Sequence, residues 1–161
     1  MMTLTVPCLF GLESLVADEM RHLGLQEVRA ENGRVRCRGT QADIPRLNLN
    51  LRCGQRVLLE LGSFPAGDFD ALFEGTRALP WENFIPRDGE FPVKGYSLQS
   101  ALHSVPACQA IVKKAVARRL GQVYGLETLP ETASRYQIQF SLVKDVATLY
   151  LDTSGEALHK R

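Results

Sequence analysis

Apolar and polar positions divide the chain into short elements. "MTLTVPCLF" at the start is apolar and β-prone. "GLESLVADEMRHLG" places Leu12, Leu15, Val16, Met20 and Leu23 at helical spacing, with Gly24 as a stop. "QEVRAENGRVRCRG" reads as two β runs around Asn32-Gly33, a dipeptide suited to the positive φ angles of a type I′ hairpin turn. "TQADIPRLNLNLR" opens on a Thr cap and repeats Ile44, Leu47 and Leu51 as a helix does, and "QRVLLELGSF" closes the region as an apolar strand.

A second series follows. "AGDFDALFEGTRAL" predicts a helix capped by Asp68, and "PWENFIPRDGE" a turn-rich linker. "EFPVKGYSLQS" predicts a strand. "PACQAIVKKAVARRLG" predicts a long helix starting near Ser104, with Pro106 in the first turn where a missing N–H costs nothing. "SRYQIQFSLVKDVATLYLD" predicts a hairpin turning near Lys144-Asp145, with Tyr136, Ile138, Phe140 and Leu142 alternating along its first strand.

The first series runs β-α-β-β-α-β, the order of a ferredoxin-like unit with helices on one face of a four-stranded antiparallel sheet. The fold class is therefore α+β. At 161 residues the chain is long enough for one domain or two small ones, each with a real core. No apolar run approaches the ~20 residues that cross a bilayer, and no basic segment precedes an apolar one at the start. The expectation is a cytoplasmic protein with no membrane partner. Cys8, Cys37, Cys53 and Cys108 are unevenly spaced within or beside apolar runs, as buried reduced thiols are.

Recognisable catalytic patterns are missing. There is no phosphate loop, no G-x-G-x-x-G after a strand and no nucleophile elbow. His22, His103 and His159 lie far apart without a second ligand at metal spacing, so no metal is expected. Asp68 and Asp70 read as a cap and a first-turn charge rather than a catalytic pair.

Charge changes the picture. Residues 1–90 hold 10 Lys+Arg against 13 Asp+Glu, and residues 91–161 hold 9 against 5. The long helix concentrates the excess. Cys108, Val112, Ala115, Val116, Leu120 and Val123 form its apolar side, while Lys114 and Arg118 point away beside the small Ala110 and Ala117. Lys113 lies at the border, and Arg119 falls toward the apolar side, where its head can snorkel out. A solvated helix face would explain these charges on its own. However, no acid occurs between Glu90 and Glu127, and unmixed positive charge is what phosphate contact requires. Lys94 and Tyr96 sit at the end of the strand before the helix. Ser97, Gln99, Ser100, His103 and Ser104 form a polar loop leading to its N-terminus, and Lys160 and Arg161 add charge at the tail. Tyr96 suits either core packing or stacking on an unpaired base.

"VKGYSLQSALHSVPACQAIVKKAVARRL" followed by "RYQIQFSLVKDVATLYLDTSGEALHKR" resembles the THUMP domain of bacterial RNA N2-guanine methyltransferases. The stretch before it resembles the ferredoxin-like unit that accompanies THUMP in RNA-modifying enzymes. The resemblance implies a ferredoxin-like domain at 1–64 and an α/β THUMP domain at 65–161. It implies docking of structured RNA, rRNA or tRNA, with Lys94, Ser97, Lys113, Lys114 and Arg118 as carried-over contacts. Tyr96, His103, Lys160 and Arg161 join them as RNA-binding candidates.

The resemblance also implies a C-terminal methyltransferase domain in cis that uses S-adenosylmethionine. This chain carries no glycine-rich methyl-donor loop and no Asn/Asp-Pro-Pro-aromatic motif, so no cofactor and no catalytic residue are expected within it. Two other readings stay open. One is a THUMP module of a thiolation or deamination enzyme, and the other is a protein-interaction module that uses the basic face.

Overall fold

The computed structural model describes residues 2–50 and 56–153. Two compact units divide the chain: residues up to Glu60 together with Asp152 and Thr153, and residues Leu61–Leu151. The sequence pattern groups Asp152 and Thr153 with the second domain. In the structure they join the first, because Thr153 donates through both its N–H and its hydroxyl to the Val57 carbonyl, at 3.0 and 2.6 Å. Asp152 also pairs with Arg56.

The first unit contains β1 (Met2–Pro7), α1 (Glu13–His22), β2 (Gln26–Glu31), β3 (Arg34–Gly39), α2 (Asp43–Asn50) and the start of β4 (Leu58–Pro65). Its strands lie in the order β2-β3-β1-β4, all antiparallel. This is the expected ferredoxin-like arrangement. Alternation along β1 and β3 sends Leu4, Val6, Val35 and Cys37 into a core that also holds Val16, Ala17 and Met20 of α1 and Ile44 and Leu47 of α2. On the opposite face Arg36 reaches across β1 to Glu60 of β4, with Nη2 3.0 Å from both carboxylate oxygens. Its other side lies 3.6 Å from Glu31, so most of this charge is neutralised within the sheet.

Two local details differ from the sequence reading. At Asn32-Gly33 only Gly33 takes a positive φ, of 77°, so the turn is not type I′. Tertiary bonds set it instead. The Glu13 carboxylate accepts the Gly33 N–H, and the Cys8 N–H donates to the Gly33 carbonyl, at 2.8 and 2.9 Å. The positive-φ pair occurs at Lys144-Asp145, with φ of 51° and 63°, where two non-glycine residues take the I′ geometry. The second difference concerns α2. It begins at Asp43, whose carboxylate accepts both the Thr40 N–H at 2.8 Å and the Thr40 hydroxyl at 3.2 Å, so the Thr40 side chain takes part as a donor to Asp43 and not as an accepting cap.

The second unit contains the rest of β4, then α3 (Phe69–Arg77), a 3-10 turn (Trp81–Asn83), β5 (Val93–Leu98), α4 (Val105–Tyr124), β6 (Ile138–Val143) and β7 (Val146–Asp152), whose last residue belongs to the first unit. β5 runs parallel to β6, and β6 antiparallel to β7. The end of β4 lies beside β7, with Ser63 and Thr148 hydroxyls 3.1 Å apart. Asp68 caps α3 by accepting from the Ala71 N–H at 2.7 Å. Ser104 caps α4, and Gly125 ends it in the left-handed region at φ 68°.

Cys8, Cys37 and Cys108 are buried, as expected, and Cys53 lies outside the described residues. Burial first, and then Asp43, pushes the Cys37 thiol up to about 12, which keeps it protonated and unreactive. Among the described residues no helix is long and apolar enough to cross a membrane.

Candidate nucleic-acid interface

The long helix α4 dominates the second unit. Cys108, Val112, Ala115, Val116 and Leu120 are buried along one side, and the helix packs against α3, β5 and the 3-10 turn. Val123, expected on this stripe, is exposed one turn beyond the buried part. The core fixes the rotation of α4 and hence the direction of each cation.

The four basic residues have different fates. Lys113 Nζ lies 2.6 Å from Glu131, 3.0 Å from the Phe91 carbonyl and 3.8 Å from the Phe91 ring centroid. Burial acts to raise the Glu131 carboxyl, but Lys113 and the Phe91 N–H together hold it below the ordinary carboxylate range. Arg119 makes a two-pronged pair with Glu82 at 2.9 and 2.8 Å. Lys114 and Arg118 are exposed and make no ion pair among the described residues. Arg118 rests over the Phe73 ring of α3 at 5.7 Å, which steadies the guanidinium without cancelling its charge. The expected uncompensated face therefore narrows to Lys114 and Arg118. Glu82 and Glu131 lie outside the acid-free window of the sequence, and the fold brings them to its two basic neighbours.

The remaining candidates separate. β5 alternates, with Val93, Gly95 and Ser97 half-buried and Lys94, Tyr96 and Leu98 exposed on the other face. Lys94 and Tyr96 are the second and fourth residues of β5, not its end as the sequence pattern suggested, and they project away from the α4 side. Ser97 turns inward, and its hydroxyl donates to the Leu102 carbonyl at 2.6 Å. His103 is exposed just before the Ser104 cap. Lys160 and Arg161 lie outside the described residues. Sequence reasoning missed Lys144, an exposed cation at the hairpin tip whose N–H donates to the Leu98 carbonyl at 3.1 Å, beside the loop that carries His103. Its turn was legible, but its placement beside that loop depends on pairing β5 with β6.

The Glu82–Arg119 pair carries a pH prediction. The Arg119 guanidinium, above all, holds the Glu82 carboxyl below the ordinary carboxylate range, against the upward pull of burial. A carboxyl lowered in the folded state contributes stability above its unfolded value, and that contribution is lost as pH falls through the folded value. The urea midpoint should drop between about pH 6 and about pH 3.5, and Glu82→Gln should show a smaller drop over the same interval. Equal drops would remove this pair as a source of acid sensitivity.

Comparison with known proteins accounts for this layout. Residues 66–152 match the THUMP domain, and residues 3–58 match the RlmL ferredoxin-like domain. The chain belongs to the THUMP family. Its THUMP domain and the unit before it together match longer proteins. The Bacillus subtilis protein named "Putative RNA methyltransferase YpsC" is 45% identical over 99% of this chain, which spans 42% of that protein. The ribosomal RNA large subunit methyltransferase K/L of Pseudomonas aeruginosa is 31% identical over 98% of the chain, which spans 22% of it. Among solved structures, a Listeria monocytogenes protein described as a "predicted N6-adenine-specific DNA methylase" superimposes with a TM-score of 0.90 at 43% identity, over 94% of this chain and 40% of that one. SMU.472, solved in complex with SAH, gives a TM-score of 0.90 at 39% identity, over 94% and 41%. The chain thus spans less than half the length of each.

Proposed function

We propose that this chain is the RNA-docking region of an S-adenosylmethionine-dependent RNA guanine-N2 methyltransferase, acting on rRNA or tRNA. One observation carries the reading: in a THUMP domain, Lys114 and Arg118 stand on the outward side of a rigid helix with no carboxylate paired to them among the described residues. Two guanidinium or ammonium groups one helical turn apart suit successive phosphates of a ribose-phosphate chain. The methyl donor would bind elsewhere in a longer protein, because these residues include no methyl-donor loop. The part of this chain is to hold the substrate's backbone while chemistry proceeds on another domain.

Recognition on this basis depends on shape and phosphate, not on bases. Affinity for a structured RNA should fall with salt at a log–log slope between about −2 and −4, the lower figure being what α4 supplies alone. Filter binding with an rRNA fragment and a tRNA checks it, with a DNA duplex of equal length as competitor. A flat salt response, or DNA displacing RNA at equal concentration, would contradict RNA docking.

A further inference from the structure

We propose that the apolar end of the first unit, formed by Leu9, Phe10, Leu15 and Leu49, is the docking surface for the methyltransferase body that accompanies this region in longer relatives. The inference rests on the reading of the chain as one part of such an enzyme. It does not depend on where RNA binds.

Scattered exposed leucines are ordinary. These four are not scattered. Leu9, Phe10, Leu15 and Leu49 are 61%, 80%, 53% and 84% exposed, the most exposed apolar side chains of the first unit among the described residues. Strand register gathers them. Leu9 and Phe10 follow the end of β1, and Leu15 lies in the first turn of α1. Leu49 lies in the last turn of α2, next to Asn48, whose side chain donates to the Thr153 hydroxyl at 3.2 Å. Thr153 in turn bonds to Val57, just before β4 pairs with β1 through Leu58 and Thr5. The end of β1, the start of β4 and the end of α2 therefore share one end of the sheet.

The loop that carries Phe10 is also held in place. The two oxygens of Glu13 accept the Gly11 and Gly33 N–H groups, each at 2.8 Å. The Leu12 N–H donates to the Leu9 carbonyl at 3.0 Å, and Gly11 takes a φ of 96° that other residues rarely adopt. Those hydrogen bonds, with Gly33 foremost, hold the Glu13 carboxyl below its ordinary range. A chain that fixes a loop only to leave a phenylalanine in water has built a docking surface.

α1 carries Glu13, Asp18 and Glu19 before its first cation, Arg21, which pairs with Asp18 at 3.3 Å, so the start of this helix offers a polyanion no basic side chain. Thr153 lies at this same end of the unit. In a longer relative whose further part follows this region, that part meets the patch at high effective concentration, so a modest apolar contact is enough to hold it. The relatives have that body: this chain spans only 42% of YpsC and 22% of methyltransferase K/L.

Hydroxyl-radical footprinting tests this directly. The 161-residue chain is compared with a chimera in which it replaces the matching stretch of YpsC. Oxidation of Phe10 and Leu49 should slow at least about fivefold in the chimera, the contrast between a largely exposed and a buried side chain. Tyr96 should not change. Phe10→Asp in the chimera should return Leu49 toward its rate in the isolated chain, with the isolated variant's melting temperature unchanged. If the chimera does not fold, adding the rest of YpsC in trans gives the same readout. Unchanged rates would overturn the proposal. So would equal slowing at Tyr96, slowing in the isolated chain as its concentration rises, which indicates a second copy, or slowing only when RNA is added. RNA filter binding by the isolated chain reports separately, so failure here leaves the RNA reading tested on its own terms.

Discussion

Replacing Lys114 and Arg118 together by glutamate is expected to weaken RNA binding on the order of 100-fold at low salt, and to flatten the log–log salt slope by about 2. The argument is electrostatic and local. Both side chains are exposed, and no carboxylate among the described residues pairs with them to offset their charge. A phosphate that the protein no longer neutralises keeps its condensed counterion, so the slope shrinks by about one for each. Reversal also places two negative charges against the polyanion, which weakens binding further. Folding should survive, because neither residue contributes to the buried stripe of α4. Lys94→Glu is the informative control, because Lys94 projects from the opposite face of β5. Its effect should be several times smaller. If Lys94→Glu matched the double reversal, RNA would lie on the sheet face and the helix reading would fall.

Trp81→Ala should destabilise the protein by about 3–5 kcal/mol, with a fall in melting temperature on the order of 10 °C or more. Trp81 is fully buried in the 3-10 turn that packs against α4. Its indole N–H donates to the Thr76 carbonyl, at 2.8 Å, in the last turn of α3. The Trp81 carbonyl then accepts the Phe84 and Ile85 N–H groups at 3.0 and 2.9 Å. Truncation opens a cavity and leaves the Thr76 carbonyl without this partner, so two costs add. Trp81→Phe keeps most of the apolar area and should cost about 1–3 kcal/mol, chiefly from the lost indole hydrogen bond, since the Thr76 carbonyl still accepts the Leu79 N–H at 3.2 Å. Urea titration measures both. A Trp81→Ala loss below about 1 kcal/mol would show that the linker does not anchor α4.

Glu82, next to Trp81, shows why the site was only partly legible. The pairing of Glu82 with Arg119 spans 37 residues, and that of Lys113 with Glu131 spans 18. No local pattern announces either. The helix wheel placed Lys114 and Arg118 outward because a 3.6-residue period is a property of the backbone alone. It left Lys113 at the border and sent the head of Arg119 outward without a partner, because the partners come from segments that only the packed fold brings near.

The periodicities of this sequence determined which segments became helices and strands, the ferredoxin-like order of the first unit and the outward direction of the two cations on α4. Each follows from short-range backbone geometry and the need to bury one side of each element. Only the tertiary structure decided which charges stayed open, which unit holds Asp152 and Thr153, and which turn took the type I′ shape. Those outcomes depend on groups distant in sequence meeting at hydrogen-bond range, as Glu13 meets Gly33 and Thr153 meets Val57.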